Sequence, residues 1–145
     1  MSTIFPVRFF NDCPTYSLPK KALLQTARKL VRGEKLKSGQ MVDVIICSAY
    51  KIRKLNNAYR GKDRVTDVLS FCFNDNDLLG EIYICAQRAT AQARRCGLTY
   101  TQEMQRLLVH GFIHLLGYDH RAKAQTKRMR EREARYCCLG NCEMI

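Results

Sequence analysis

The sequence predicts one α+β domain with about four strands and four or five helices. Three observations support this class. Short runs of β-branched and aromatic residues alternate with longer segments whose apolar residues recur at helical spacing. The 145 residues, 46% hydrophobic and 26% charged, suit a single hydrophobic core. No repeat or Pro/Gly/Ser-rich linker divides the chain, so we expect residues 1–145 to form one domain.

The first half of the chain contains two predicted strands and two predicted helices. Residues 3–10 mix β-branched and aromatic side chains, which predicts a strand. A helix is expected to start at Pro19 and to present an apolar face through Val31, because apolar residues recur there at helical spacing. The continuous apolar run at 42–47 is typical of a buried strand, and the pattern at 52–59 predicts a second helix.

The second half begins with a predicted hairpin and continues with helices. Residues 66–73 and 81–85 are strand-like, and the polar stretch at 74–77 between them predicts a turn. Three helices are then expected, each ended by a glycine that can adopt a left-handed backbone conformation. They cover residues 86–96 before Gly97, residues 101–116 before Gly117, and residues 123–139 before Gly140.

The charge balance points to a polyanionic partner. The chain has 25 Lys and Arg residues against 13 Asp and Glu residues, a net charge of +12, which favours nucleic acid first and an anionic membrane surface second. No apolar run approaches the roughly 20 residues of a membrane-spanning helix. Residues 1–12 include the charged Arg8 and Asp12 and do not show the apolar run of a secretory signal peptide. We therefore expect a soluble, cytoplasmic protein with no membrane partner.

The chain has eight cysteines, which raises the alternatives of disulfides and a thiolate metal site. Reduced thiols are expected because no export signal is recognised, and no two cysteines have CxxC spacing. The cluster of Cys137, Cys138 and Cys142 could hold a soft metal, but its spacing matches no common zinc pattern. Structural or incidental thiols are therefore favoured.

The three histidines of the chain lie within eleven residues, in the segment HGFIHLLGYDH. His110 and His114 are four residues apart, so a helix would present both imidazoles on one face. Gly117 can end that helix and turn the chain so that His120 supplies a third nitrogen. Three imidazoles with an open fourth position are typical of catalytic zinc, although nickel or another divalent ion suits the same ligands. The sequence therefore predicts a metal site at the end of a helix.

A metal in this position would suit hydrolysis of either a peptide or a phosphodiester. The spacing HxxxHxxGxxH matches zinc peptidases of the metzincin type, in which a glutamate follows the first histidine and acts as general base. Gly111 occupies that position here, and we interpret it as leaving room at the metal for a bulky polymer. Asp119 is either a proton-shuttling carboxylate or an ordinary loop residue.

A second segment carries cations suited to phosphate. Arg60, Lys62 and Arg64 surround a predicted turn, where an arginine fork could clamp a phosphate, although a solvated turn explains the same pattern. A basic block begins just after His120 and could guide an RNA backbone toward the metal. The aromatic candidates for base stacking are Tyr59, Tyr100, Tyr118 and Tyr136.

The segment HGFIHLLGYDH resembles the HGxxHLxGxxH signature of the YbeY family of metal-dependent endoribonucleases. The segments NNAYRGKDRVTDVLSF and LGEIYIC are similar to two further motifs of that family, in the same order, and the three motifs span about half of the chain. Val65 stands where the family usually has proline, and Glu81 where it usually has aspartate. Neither departure removes a metal ligand.

The resemblance implies a small mixed sheet flanked by helices and one divalent ion, with Zn²⁺ as the first choice, bound by His110, His114 and His120. It also implies that Arg60 and His110 are the catalytic residues. The implied substrate is single-stranded RNA, in particular the 3′ end of small-subunit ribosomal RNA, in ribosome biogenesis and quality control. Expected partners are ribosomal RNA, ribosomal subunits, a small-subunit ribosomal protein and assembly factors.

Two other functions stay open at the level of the sequence. One is a zinc peptidase, supported by the histidine spacing and opposed by Gly111 and the basic surface. The other is a non-catalytic assembly protein that uses metal for stability and charge to bind ribosomal RNA. For an endoribonuclease, either a metal-activated hydroxide or the 2′-hydroxyl of the RNA could be the nucleophile. The sequence indicates no oligomeric state.

Overall fold

A computed structural model of the chain describes residues 5–37, 39–73, 75, 77–117 and 123–136. Its strands are β1 (Val7–Asn11), β2 (Met41–Cys47), β3 (Val68–Cys72) and β4 (Leu78–Cys85). Its helices are α1 (Lys20–Gly33), α2 (Ala49–Arg60), α3 (Ala86–Cys96), α4 (Tyr100–Leu115) and α5 (Lys123–Ala134). Within those ranges, no helix is long and apolar enough to cross a membrane.

The four strands form one mixed sheet in the order β1, β2, β4, β3. β1, β2 and β4 run parallel to one another, and β3 pairs antiparallel with β4 at the edge of the sheet. The expected α+β class, with a small mixed sheet and five helices in the described part of the chain, is confirmed. The predicted hairpin is confirmed as β3 and β4.

Side chains of the central strands alternate between two cores on opposite faces of the sheet. The larger core lies between the sheet and α1, α4 and α5, and Ile46, Ile84 and Phe112 are among its fully buried members. The smaller core joins Cys47 and Cys85 to α2 on the other face. Because helices cover both faces, β2 is apolar on both faces apart from Asp43, which pairs with Arg8 of β1.

Several element boundaries differ from the sequence-based expectation, among them those of β1, β4 and α5. β1 begins at Val7 rather than at residue 3, and β4 begins at Leu78, three residues before the expected start. The expected helix over 123–139 is wrong at its end, since α5 stops at Ala134 and residues 135 and 136 form a turn. The charged sequence of α5 has little apolar periodicity, so its end is set by tertiary contacts that the sequence pattern does not reveal.

Candidate metal and phosphate site

His110 and His114 lie side by side on α4. Their ring centroids are 6.3 Å apart and their planes differ by 15°. The start of α4 is fixed by a capping box, in which the side chains of Thr99 and Gln102 accept hydrogen bonds from each other's backbone amides. Both histidines are half-buried. The expected presentation of two imidazoles from one helix face is therefore present in the structure.

Gly117 ends the histidine helix as the sequence predicts. Its φ of +101° lies in the left-handed region, which glycine adopts without steric strain, and its amide donates to the carbonyl of His114 at 3.0 Å. His120 and Asp119 lie outside the described residues. The assignment of His120 as the third metal ligand and the two interpretations of Asp119 thus stay predictions.

Glu133 of α5 contacts the first of the two histidines. Its Oε1 lies 2.6 Å from Nδ1 of His110, and the two side chains are 24% and 25% exposed. A carboxylate only accepts hydrogen bonds, so in the neutral imidazole it selects the tautomer with its hydrogen on Nδ1. The lone pair is then on Nε2. This is the arrangement in which histidine binds a metal ion through Nε2.

The donor chemistry of the histidine pair fits a divalent ion of the zinc type, because it offers two imidazoles and one of them is oriented by a carboxylate. In residues 5–37, 39–73, 75, 77–117 and 123–136, no group of three or more His, Cys, Asp or Glu side chains is arranged to hold a metal. The pair would therefore need a further donor to complete a site.

A buried ion pair lies one helical turn before the histidines. The guanidinium of Arg106 donates to both carboxylate oxygens of Glu103, at 2.5 and 3.0 Å, and the Glu103 side chain is fully buried. Burial opposes the charge on Arg106, but its hydrogen bonds to Glu103 and the nearby carboxylates of Asp67 and Glu133 raise its pKa above the ordinary value. Arg106 is therefore a fixed positive charge close to Glu133.

Gly111 faces the sheet and is buried, which corrects the interpretation that it leaves open space at the metal. A Cβ at this position would lie 2.7 Å from Ile82 Cγ2 and 3.0 Å from Val68 Cγ2. The carbonyl of Gly111 also accepts a hydrogen bond from Ser70 Oγ at 2.7 Å. The glycine thus allows α4 to pack closely on β3 and β4, and the glutamate of a metzincin peptidase would not fit here.

Arg60 is the last residue of α2 and is exposed. Its Nη2 donates to the carbonyl of Ser70 at 3.4 Å, and the side chain of Ser70 in turn bonds to Gly111, the neighbour of His110. The edge strand β3 therefore links the arginine to the histidine helix through two hydrogen bonds. Ser70 thus contacts Arg60 through its carbonyl and the α4 backbone next to His110 through its hydroxyl, while the catalytic roles of Arg60 and His110 stay predictions.

The loop after α2 is shaped by a residue that the sequence analysis did not single out. The buried Asn56 donates from Nδ2 to the carbonyl of Arg64 at 3.0 Å and accepts from the amide of Lys62. Gly61, with a φ of +67°, ends the helix. Lys62 and Arg64 are exposed, so the loop presents its cations to solvent beside Arg60.

The tyrosine candidates for base stacking separate into two classes. Tyr59 is 72% exposed next to Arg60, and its ring meets Phe71 edge-on at 5.4 Å between centroids. Tyr100 and Tyr136 instead donate hydrogen bonds to Ser17 and Glu34 and serve packing. Tyr118 lies outside the described residues. Tyr59 is thus the stacking candidate that the described structure supports.

The expectation of reduced thiols is correct for four described cysteines and wrong for one. Cys13, Cys47, Cys72 and Cys85 are free, and burial together with the neighbouring Cys85 thiol raises the pKa of Cys47 to about 12, so this thiol stays protonated. Cys96, at the end of α3, is disulfide-bonded. An isolated cysteine gives no sequence signal for a partner that only the tertiary fold brings near. The cluster Cys137, Cys138 and Cys142 lies outside the described residues.

Glu133 is the site residue that sequence reasoning missed. The sequence shows Glu133 only as one of two acidic residues in a predicted basic helix. A signal exists in hindsight, because Glu133 follows Met129 by four residues and Met129 is fully buried, so both project from the face of α5 that packs on the domain. The carboxylate is on the inner side of a helix whose other charges are mostly exposed.

Comparisons with known proteins agree with this architecture. A family model described as Endoribonuclease YbeY matches residues 10–138. A relative with the same description from Acholeplasma laidlawii is 38% identical over 125 residues, covering 85% of this chain and 88% of that protein. Another from Thermodesulfovibrio yellowstonii is 40% identical over 99 residues, covering 64% of this chain and 62% of that protein. The chain thus spans less than two thirds of the latter relative.

A solved structure has a similar fold. The solution structure of a protein from Thermotoga maritima superposes with a TM-score of 0.62 at 33% sequence identity, and the match covers 90% of this chain and 85% of that one. The fold described above is therefore similar to an experimentally determined one.

Proposed function

The chain belongs to the YbeY family, and from this premise we propose that it is a single-strand-specific, metal-dependent endoribonuclease acting in ribosomal RNA processing and ribosome quality control. We propose that it works in the cytoplasm as one domain over residues 1–145. The observation that carries the proposal is that Ser70 of β3 contacts both Arg60, through its carbonyl, and the backbone of α4 next to His110, through its hydroxyl. A phosphate-binding fork and a metal-binding histidine are two parts that can support phosphodiester hydrolysis.

The metal would be held by His110, His114 and His120, with Zn²⁺ as the first choice for imidazole ligands. The carboxylate contact on Nδ1 of His110 supports this assignment, since it leaves Nε2 as the donor. When bound, a divalent ion supplies a Lewis acid that polarises the scissile phosphate.

The chain's own residues bind and orient the RNA. The Arg60 guanidinium, exposed at the end of α2, is free to turn toward a phosphate because its bond to Ser70 is long. Its planar fork binds two phosphate oxygens and stabilises the charge that develops on them in the transition state. His110 is presented from α4, and the Glu133 carboxylate contacts its ring.

The outer face of α5 extends this positive surface. Its exposed cations among residues 127–134 are Lys127, Arg128 and Arg130, and the exposed Arg135 follows in the turn after the helix. Cations along a helix bind a nucleic-acid backbone through phosphates, with an affinity that falls as salt rises. We propose ribosomal RNA and the small ribosomal subunit as the partners of this surface, together with a small-subunit ribosomal protein and assembly factors.

The peptidase alternative is not favoured. Its general base would have to occupy position 111, where a side chain would collide with Ile82 and Val68. The non-catalytic alternative differs from the proposal in one measurable respect, namely that RNA would be bound without being cut.

The test is cleavage of a labelled single-stranded RNA by the wild type, His114→Ala and Arg60→Ala, purified side by side. The wild type is expected to cut, His114→Ala to be inactive, and Arg60→Ala to be slower by about 100-fold. Arg28→Ala, which removes an exposed cation from α1, is the matched control and should keep wild-type activity. Circular dichroism checks that each variant is folded.

Two results would contradict the proposal. Equal cleavage by wild type and His114→Ala would identify a contaminating nuclease or a site without metal. Binding of RNA by wild type without cleavage, on both the free strand and the small ribosomal subunit, would favour the non-catalytic assembly protein.

A further inference from the structure

We propose that Glu133 is a positioning residue for His110, and that α5 is docked on the domain in the one register that brings this carboxylate to the imidazole. The inference rests on the proposed function only in taking His110 as a metal ligand. The contact that suggests it is the 2.6 Å approach of Glu133 Oε1 to His110 Nδ1.

The described side chains of α5, residues 127–134, include one that is fully buried. It is Met129 in the larger core, while Lys127, Arg128, Arg130 and Glu131 around it are exposed. A methionine alone defines a register poorly, because its flexible side chain fills irregular space. Polar contacts at the end of the helix add to the definition of where it sits.

Such contacts are present at the end of α5, on Glu34 beside the end of α1. The Glu34 side chain is 3% exposed, Tyr136 donates a hydrogen bond to its Oε2, and Arg132 Nε lies 3.4 Å from its Oε1. Burial and the Glu34 carboxylate raise the pKa of Tyr136 to about 12, so the hydroxyl remains a donor at neutral pH. A Cβ at Gly33 would lie 2.7 Å from the Tyr136 ring, which shows how closely the ring packs on α1.

The contacts of Glu34 and the contact of His110 fall on adjacent residues of α5. Arg132, held by Glu34, precedes Glu133, held against His110, so fixing the first places the second. The Arg106 guanidinium adds an attractive positive charge near the Glu133 carboxylate. These contacts hold the Glu133 side chain against His110, where a carboxylate oxygen accepts the Nδ1 hydrogen of the ring.

Two properties of the metal-free protein follow. His110 should be the Nδ1–H tautomer, visible in two-dimensional ¹H–¹⁵N spectra that report the imidazole nitrogens. Removal of the carboxylate in Glu133→Ala should return the ring to a mixture containing Nε2–H and weaken metal binding about 10- to 100-fold. Glu133→Gln keeps an acceptor oxygen, so its metal affinity should lie between those of the wild type and Glu133→Ala.

The experiment measures Zn²⁺ affinity of the full chain by competition with a chromophoric chelator, alongside the tautomer of His110 and the melting temperature without metal. Glu131→Gln is the matched control, since it removes one negative charge from an exposed position of the same helix. Glu34→Gln removes the carboxylate that Tyr136 and Arg132 contact at the end of α5. It should weaken zinc binding less than Glu133→Ala does, because Met129 still packs the helix against the core.

Three results would overturn the inference. These are wild-type zinc affinity in Glu133→Ala, an Nε2–H tautomer of His110 in the wild type, or an equal loss of affinity in Glu131→Gln, which would assign the effect to net charge. No RNA is used, so the outcome is separate from the proposed activity. If zinc affinity falls as expected and the wild type cuts no RNA, the proposed function fails and the role of Glu133 stands.

Discussion

Two arginine–carboxylate pairs with the same chemistry lie in opposite environments near the site. Arg53 and Asp63 are joined by bonds of 2.8 and 3.2 Å, with side chains 54% and 61% exposed. Arg106 and Glu103 are joined by bonds of 2.5 and 3.0 Å, with side chains 20% and 0% exposed. Both pairs are bidentate, so solvent exposure is the main difference between them.

This difference extends to the residues around each pair. The histidine region, which comprises His110, His114, Glu133 and the Glu103–Arg106 pair, is held by buried or half-buried contacts. The arginine region, which comprises Tyr59, Arg60 and residues 61–64, lies largely in water. Metal ligands need fixed geometry before the ion binds, and the contacts of the histidine region supply it. The arginine region instead exposes its cations to solvent, where they can meet a phosphate backbone.

The largest effect is expected from Glu103→Ala, which breaks the buried pair. The change leaves the Arg106 guanidinium in the interior without its bidentate partner, and the loss of one member of a buried pair costs about 3 kcal/mol of unfolding free energy. Urea-induced unfolding followed by circular dichroism measures this cost.

The double variant Glu103→Leu, Arg106→Met is the control, since it removes both charges and should recover most of the lost stability. If Glu103→Ala is as stable as the wild type, Arg106 is solvated without its partner and burial does not distinguish the two pairs.

A smaller effect, and one of a different kind, is expected from Arg60→Lys in the arginine region. Lysine keeps the charge but lacks the planar fork, so RNA cleavage should slow about tenfold, less than in Arg60→Ala, at an unchanged melting temperature. Single-turnover cleavage and thermal unfolding measure the two quantities. A drop in melting temperature like that of Glu103→Ala would show that Arg60 is structural.

Tyr59→Ala should weaken binding of single-stranded RNA by about 1 kcal/mol, or roughly fivefold in Kd, if its exposed ring stacks on a base. Tyr50 is a close control, because it is 71% exposed on the same helix but near its other end. Tyr50→Ala should bind RNA like the wild type in fluorescence anisotropy. Equal losses in the two variants would assign the effect to general surface properties of α2.

Regular periodicity made most elements of this fold predictable. α4 was recognised because its apolar residues and two of the histidines recur at helical spacing before Gly117. The hairpin was recognised from two β-branched runs around a polar turn. These elements are predictable because the apolar residues of one helix or one strand recur with the period of that structure.

The support of the site was not predictable in the same way. Glu133 reaches His110 from a helix that begins after the histidine motif, and Glu34 reaches Tyr136 across 102 positions of sequence. Gly111 was noticed, but its packing against Ile82 depends on how α4 meets the sheet. These contacts arise from tertiary packing, and single residue types do not indicate them.

The smallest effect is expected from Asp63→Asn, which removes the exposed pair. The hydrogen bonds and charge of Arg53 lower the pKa of Asp63 below 3.8, so the carboxylate stabilises the fold above that pH and loses this contribution as pH falls through its lowered pKa. The variant should therefore melt slightly below the wild type near neutral pH, and the difference should vanish in strong acid or at high salt. The cost of Glu103→Ala should persist at high salt, because a buried pair is screened far less. If salt abolishes both differences, the two pairs share one environment and the division of the site into a fixed region and a solvated region is wrong.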